Sequence, residues 1–278
     1  MRDHVRGVDH VVILVRDLDR ARNAYARMGF TLTPRGHHTL GSQNHCIMLG
    51  SGYIELLATP TLHPSMRYWG EFLAHGEGLG GIALETDDAR GAHAGLAAAG
   101  VPVEAPIEFS RPVELPGGAR DAAFRVVQLE PGYTAGARAF LCQHFTRDVV
   151  WRRDCLAHAV GARGLAALAV VAENPLGAAA GYATVFGERP RRIDEGLLVH
   201  TGSAPIALGT RARMARRLRG VVLPDRPAPF VAALFLHVED RARAAAVLRR
   251  GGFSPVLLED GSCAIGADSA FGVALVFG

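Results

Sequence analysis

Short apolar runs alternate with alanine-rich stretches along this chain, and the pattern recurs four times. The first run, residues 8–15, is dense in β-branched side chains and predicts a strand. Asp17 or Asp19 then offers an N-cap. Leu18, Ala21, Tyr25 and Met28 fall at i, i+3, i+7 and i+10, one apolar stripe on a helix that Gly29 stops. Strands near 31–34, 46–49 and 53–58 complete a βαβββ unit, with Gly50-Ser51-Gly52 as a hairpin turn.

The second copy starts at Gly81-Ile82-Ala83-Leu84-Glu85 and runs through Asp87 and Asp88 into a helix ending at Gly100. Its later strands are expected at 107–115, 122–129 and 137–145, the first two joined through Pro116-Gly117-Gly118. A third copy opens at 165–171, with a helix from Pro175 and strands at 197–200 and 205–208. In the fourth, Asp240-Arg241-Ala242-Arg243 up to Gly252-Phe253 echoes Asp19-Arg20-Ala21-Arg22 up to Gly29-Phe30. The expected fold class is therefore α+β, four βαβββ modules in two tandem domains. Modules 1–79 and 80–151 form domain 1–151, modules 160–226 and 227–278 form domain 160–278, and the boundary falls near 152–163.

Two polar residues break strands that should be buried on at least one face: His10 in the first run and Glu55 in Tyr53-Ile54-Glu55-Leu56-Leu57. A buried ionisable group needs a hydrogen bond, a counter-charge or a metal, so this pair suggests a metal pocket lined by sheet residues. Composition narrows the chemistry. All 30 basic residues are arginine, which removes Schiff-base lysine, P-loop and lysine-base mechanisms. Cys46, Cys142, Cys155 and Cys263 form no CxxC or zinc spacing and read as reduced core residues. The net charge of +3 is small, and the arginine run 211–219 carries Met214 and Leu218 at helical spacing, so it reads as a solvated helix face and no nucleic-acid partner is expected. Apolar runs are too short for a membrane span and no signal-peptide pattern opens the chain, so a cytoplasmic protein without a membrane partner is expected. Gly76-x-Gly78-x-x-Gly81 matches the dinucleotide fingerprint by letter but precedes a strand instead of following one, and GxSxG and HExxH are absent.

The four-copy βαβββ order, with Asp9-His10-Val11-Val12 opening the first unit and Tyr53-Ile54-Glu55-Leu56-Leu57 in its fourth strand, resembles the vicinal oxygen chelate superfamily. That superfamily includes glyoxalase I, extradiol dioxygenases and bleomycin-resistance proteins. Gly36-His37-His38, Asn44-His45, Phe140-Leu141-Cys142-Gln143-His144-Phe145-Thr146 and Val150-Trp151 are similar to its glyoxalase-like branch. The resemblance implies curved, cup-shaped mixed sheets. It also implies metal ligands from the first and fourth strands of each unit: His10, Glu55 and His144, with Gly80 or Gly81 at the fourth slot. Such a set would hold a divalent ion (Fe, Mn, Zn or Ni) with open positions. His38 and His45 are expected to bind substrate from the second and third strands, and Trp151 to line the cup mouth. Slots in the second domain, 166–168 and 231–233, hold no ligand, so that domain is expected to be a non-catalytic buttress.

These expectations make the chain a metal-dependent enzyme acting on a small molecule with adjacent oxygens: an isomerase, lyase, hydrolase or ring-cleaving dioxygenase. Glu55 and His144 are its expected catalytic groups. The alternative is a metal-free binding protein of the bleomycin-resistance type. A monomer or a homodimer is compatible with four units in one chain.

Overall fold

The computed structural model describes residues 2–60, 64, 67–115 and 117–278. The first half runs β1 (Gly7–Leu14), α1 (Leu18–Arg27), β2 (Gly36–His37), β3 (Gln43–Met48), β4 (Tyr53–Ala58), α2 (Arg67–Ala74), β5 (Gly78–Glu85), α3 (Ala89–Ala98), β6 (Ile107–Leu115), β7 (Gly118–Gln128), β8 (Arg138–His144) and α4 (Arg147–Val150). The second half runs β9 (Ala162–Val171), α5 (Pro175–Phe186), β10 (Arg191–Ile193), β11 (Gly196–Val199), β12 (Ile206–Gly209), α6 (Arg211–Arg217), β13 (Phe230–Val238), α7 (Arg241–Arg250), β14 (Val256–Leu257), β15 (Cys263–Ile265) and β16 (Ala274–Phe277).

Each half builds one eight-stranded mixed sheet, in the orders β2-β3-β4-β1-β5-β8-β7-β6 and β10-β11-β12-β9-β13-β16-β15-β14. Within a module the first strand pairs parallel with the fourth, and the two first strands of a half meet antiparallel. Both faces of the central strands are covered, which is why they read as nearly unbroken apolar runs. Along β1, Val11 and Ile13 face the helices while Val12 and Leu14 face a concave core. The first sheet curls until its edges meet: just past β2, the Thr39 amide donates to Ser110 O in β6 at 3.1 Å.

The helical faces of both sheets share one core, in which Val11, Tyr25 and Leu141 join Val170, Tyr182 and Leu234. Tyr25 and Tyr182 are each the eighth residue of their helix, and each donates to a carbonyl in the other half: Tyr25 Oη to Ala270 O (3.2 Å) and Tyr182 Oη to Ala135 O (2.6 Å). The chain between the sheets is pinned as well. The buried His158 donates from Nε2 to Met48 O (2.8 Å) and accepts at Nδ1 from the Thr31 amide (3.0 Å).

Several sequence expectations shift in register. Residues 31–34 form no strand, and the second strand of unit 1 is the short β2. Asp17 is the cap of α1, accepting from the Arg20 amide, and Asp240 does the same for Arg243 at α7. The true echo of Asp240 is thus Asp17, not Asp19, and in each case a positive-φ glycine (Gly29, Gly252) follows twelve residues on. The arginine run folds as α6, with Met214 and Leu218 buried in the second concave core. Helix α2, unsignalled by any strong pattern, brings Trp69 into the first. In the expected turn at 116–118, Pro116 lies outside the described residues.

Candidate active site

The concave face of the first sheet lines a narrow cavity of about 70 Å³. Most of its wall is apolar, from Val12, Leu57, Trp69, Phe109, Phe124 and Phe140 among others. Nine of its eighteen lining residues carry polar groups: His10, His38, Ser42, Asn44, Tyr53, Glu55, Arg111, Gln128 and Cys142.

His10 is the hub. It stands on β1 with Val12 and Leu14, and its ring stacks on Tyr53 at 4.2 Å between centroids. The residue before it, Asp9, would ordinarily face the opposite side of the strand. Instead the β1–β5 register skips between Val8 and His10, leaving Asp9 without a partner on β5. This bulge lets two consecutive side chains reach one buried cluster. Asp9 Oδ2 accepts from His10 Nδ1 (2.6 Å) and from His144 Nε2 (3.0 Å), while Arg147 Nη1 lies 3.3 Å from Oδ1. Burial alone would raise the Asp9 carboxyl, but the two imidazole hydrogen bonds outweigh it and hold the group well below the usual carboxylate range. Burial pushes the neighbouring Cys142 thiol well up.

The other ring nitrogen of His10 looks into the cavity. His10 Nε2 lies 3.7 Å from Glu55 Oε2, and His38 Nε2 lies 4.0 Å from Glu55 Oε1. Both separations are too long for hydrogen bonds. His38 is fixed from behind by a 2.8 Å hydrogen bond between Nδ1 and Ser42 Oγ, as His10 is fixed by Asp9. Burial pushes His38 down to about 4 against the opposing pull of Glu55, so its ring is neutral near pH 7. Asn44 Nδ2 donates to Glu55 Oε1 at 2.5 Å and holds the carboxylate in place.

Two groups therefore share His10. Asp9, His10, Cys142 and His144 offer donor atoms all within 4.8 Å of one another, a buried set compatible with a divalent metal. On the cavity side, Glu55 is faced by two imidazole Nε2 atoms.

The register also locates the slots expected to hold ligands. β1 and β5 are each eight residues long and each precedes a helix by three residues, so His10 corresponds to Gly81. Glu55 pairs with Val12; the corresponding pair in unit 2 is Ala83 with Phe140. The fourth-strand slot of unit 2 is thus Phe140, and His144 lies four residues further along β8, behind the cavity wall. Gly81 has no room for a side chain, since a Cβ there would stand 2.9 Å from Trp69 Cη2. The equivalent positions of the second half are Ala167, Ala207, Ala233 and Val276, none of which can ligate a metal.

The expected site residues separate accordingly. His10, Glu55 and His38 meet in the cavity. His144 meets His10 through Asp9. His45 is buried on the other face of β3, donating from Nδ1 to Thr33 O at 2.8 Å, and does not look into the cup. Trp151 backs the Asp9 cluster: Arg147 stacks on it at 3.8 Å and its ring meets Tyr53 edge-on. Asp9, Asn44 and Arg111 escaped sequence reasoning, although one signal was readable. In Ile107-Glu108-Phe109-Ser110-Arg111-Pro112-Val113-Glu114-Leu115 every second residue is apolar except Arg111, which places the arginine on the inward face.

Comparison with known proteins agrees with this architecture. The family model described as "Glyoxalase-like domain" matches residues 8–186, more than half of the chain. None of the curated proteins matches it in sequence. Among solved structures, a hypothetical protein from Staphylococcus aureus superposes with a TM-score of 0.69 at 13% identity, covering 98% of each chain. The Mn(II)-bound glyoxalase from Novosphingobium aromaticivorans gives 0.60 at 15% identity, covering 99% of this chain and 82% of its own. A variant of 4-hydroxymandelate synthase from Streptomyces coelicolor gives 0.57 at 16%, covering 92% and 77%. At these identities the likeness concerns the fold.

Proposed function

Because the chain belongs to the glyoxalase-like domain family, we propose that it is a metal-dependent enzyme acting on a small molecule with two adjacent oxygen atoms. The observation that carries this reading is the convergence of His10 Nε2 and His38 Nε2 on the Glu55 carboxylate, at 3.7 and 4.0 Å, with both Nδ1 sides already tied. Neither Nε2 has a hydrogen-bond partner among the described residues. Two imidazoles and one carboxylate form a donor set suited to Fe(II), Mn(II), Zn(II) or Ni(II), and anchoring of the far nitrogen is the usual outer support of a histidine ligand. His10, His38 and Glu55 are thus assigned as the ligands.

The Asp9 group supports this assignment from behind. Its Asp9–His10 contact of 2.6 Å is a hydrogen bond, shorter than the roughly 3.4 Å between two ligands around a tetrahedral ion with bonds of about 2.1 Å. Neither Asp9 nor His144 lines the cavity. His144 is accordingly reassigned from ligand to positioning residue.

When bound, a divalent ion in this position supplies Lewis-acid polarisation of the substrate oxygens. The protein's own groups do the rest. The apolar wall excludes water and strengthens every charge inside. Glu55, the only acid on the described cavity wall, is the group able to accept a proton from the substrate; Asn44 Nδ2–H holds its Oε1 in position.

Metal analysis of protein purified without chelators tests the proposal. One equivalent of a transition metal is expected, lost in His10→Ala, His38→Ala and Glu55→Gln and retained, with about 10- to 100-fold weaker affinity, in His144→Ala. Retention in His38→Ala with loss in His144→Ala and Cys142→Ala moves the ion to the Asp9 group. Metal-free wild type that still binds small ligands identifies a sequestering protein instead.

A further inference from the structure

Arg111 is the one strongly charged group of the cavity that the proposed function does not use. It stands on β6 where the first sheet curls shut, pairs in register with Ala122, and is only 6% exposed. Among the described residues it donates no hydrogen bond and forms no ion pair, and its Nε is a buried donor without an acceptor. The other buried arginine of the described residues, Arg138, has partners: it donates from Nε to Leu129 O and pairs with Glu104. A guanidinium cannot shed its proton, so an uncompensated one in an apolar wall is costly. The fold holds it there nonetheless. It passes so close to Gly36 of β2 that a Cβ at that glycine would stand 3.1 Å from Arg111 Cδ and Nη1 and 2.3 Å from Asn44 Oδ1. Any larger residue at position 36 would displace both side chains.

We propose that Arg111 is a carboxylate clamp, and that the substrate is an organic acid whose apolar body lies against the aromatic wall while its carboxylate takes the guanidinium fork. The inference deepens the metal-enzyme reading and rests on the same cavity. A planar fork of N–H donors matches a carboxylate's two oxygens, and the pairing supplies the missing counter-charge. Charge balance points the same way. With Glu55 on the wall and the ionised Asp9 behind it set against Arg111, a divalent ion would still leave the loaded site positive, a field that favours an anionic substrate. A second orphan on the wall, the buried Oε1 of Gln128, is an acceptor available to a hydroxyl of the same molecule. The remaining lining, with Trp69, Phe109, Phe124 and Phe140, suits an aryl or alkyl body.

Titration of the purified full-length protein with phenylacetate and its neutral analogue phenylacetamide, followed by calorimetry, tests the clamp. Wild type is expected to bind the acid about 10- to 100-fold more tightly than the amide. Arg111→Gln is expected to abolish that preference and leave amide binding unchanged, while Glu55→Gln retains the preference. Equal binding of acid and amide by wild type overturns the proposal. So does a preference that survives in Arg111→Gln and vanishes in Glu55→Gln, which would put the carboxylate on the metal and leave the metal reading standing. A protein that carries no metal yet prefers the acid through Arg111 keeps the clamp and sinks only the metal. Thermal melting supplies a readout that needs no probe. With an unpaired buried cation removed, Arg111→Gln and Arg111→Met melt no lower than wild type; a fall of several degrees in both marks a structural arginine and overturns the proposal.

Discussion

Replacing His158 by alanine tests how firmly the segment between the two halves is pinned to the first half. The ring is 6% exposed and makes two hydrogen bonds that no other group replaces: Nε2 to Met48 O at 2.8 Å, and the Thr31 amide to Nδ1 at 3.0 Å. Its truncation orphans the carbonyl of the fully buried Met48 in β3, at about 1–3 kcal/mol, and a half-buried amide at about 0.5–1.5 kcal/mol. Loss of the edge-on contact with Phe30, 5.7 Å between centroids, adds about 0.5–1.5 kcal/mol. Together these come to about 2–6 kcal/mol, a large part of the stability of an ordinary domain.

The same geometry makes a pH prediction with a definite sign. Burial lowers the His158 pKa below its ordinary 6.5, more than the bond to Met48 raises it. A protonated ring would carry a hydrogen on Nδ1, where the Thr31 N–H already points. The unfolded chain therefore takes up the proton first. The stabilisation is complete above about pH 6.5 and is lost below it, with a slope approaching about 1.4 kcal/mol per pH unit until the folded ring also protonates. Urea unfolding of wild type and His158→Ala, followed by circular dichroism at pH 7.5 and 5.5, measures both effects. The gap between the two proteins should narrow at pH 5.5. A difference under about 0.5 kcal/mol at pH 7.5, half the worth of one hydrogen bond, or a gap that does not change with pH, refutes the reasoning.

Two further substitutions probe the fold around the site. Gly81→Ala should cost about 1–3 kcal/mol in denaturant unfolding, because its Cβ would press on Trp69 and Val12 in a packed wall; a neutral result would mean that the cavity wall yields and that the slot is still open to a ligand. Tyr25→Phe and Tyr182→Phe should each cost about 1–3 kcal/mol by orphaning a buried carbonyl of the other half, with the larger loss at Tyr182, whose bond is the shorter. Equal stability of the phenylalanine variants would show that these hydroxyls do not tie the halves together.

How much was legible beforehand varied with the range of the interaction. Helix starts, glycine stops and apolar strands are local matters, so the four modules could be read from spacing alone, as Asp17, Asp240, Gly29 and Gly252 illustrate. The slip between Asp17 and Asp19 came from matching letters where the cap hydrogen bond decides. His10 and Glu55 could be singled out because each breaks an apolar strand, and Arg111 could have been found by the same alternation. His45 misled because it neighbours Asn44: adjacent strand residues face opposite sides, and only the pairing with β4 shows that Asn44 is the inward one.

By itself, then, the amino-acid order determined the modular α+β plan and two members of the candidate site, since both follow from the period of apolar positions. Only the tertiary structure decided that a skipped pairing in β1 turns Asp9 inward beside His10, that Phe140 and not His144 occupies the slot matching Glu55, and that His38 closes the group. Each of these depends on strand register and on the curl that brings β2 to β6. Register is set by pairing between segments far apart in the chain, and a shift of one residue reverses which side chains meet.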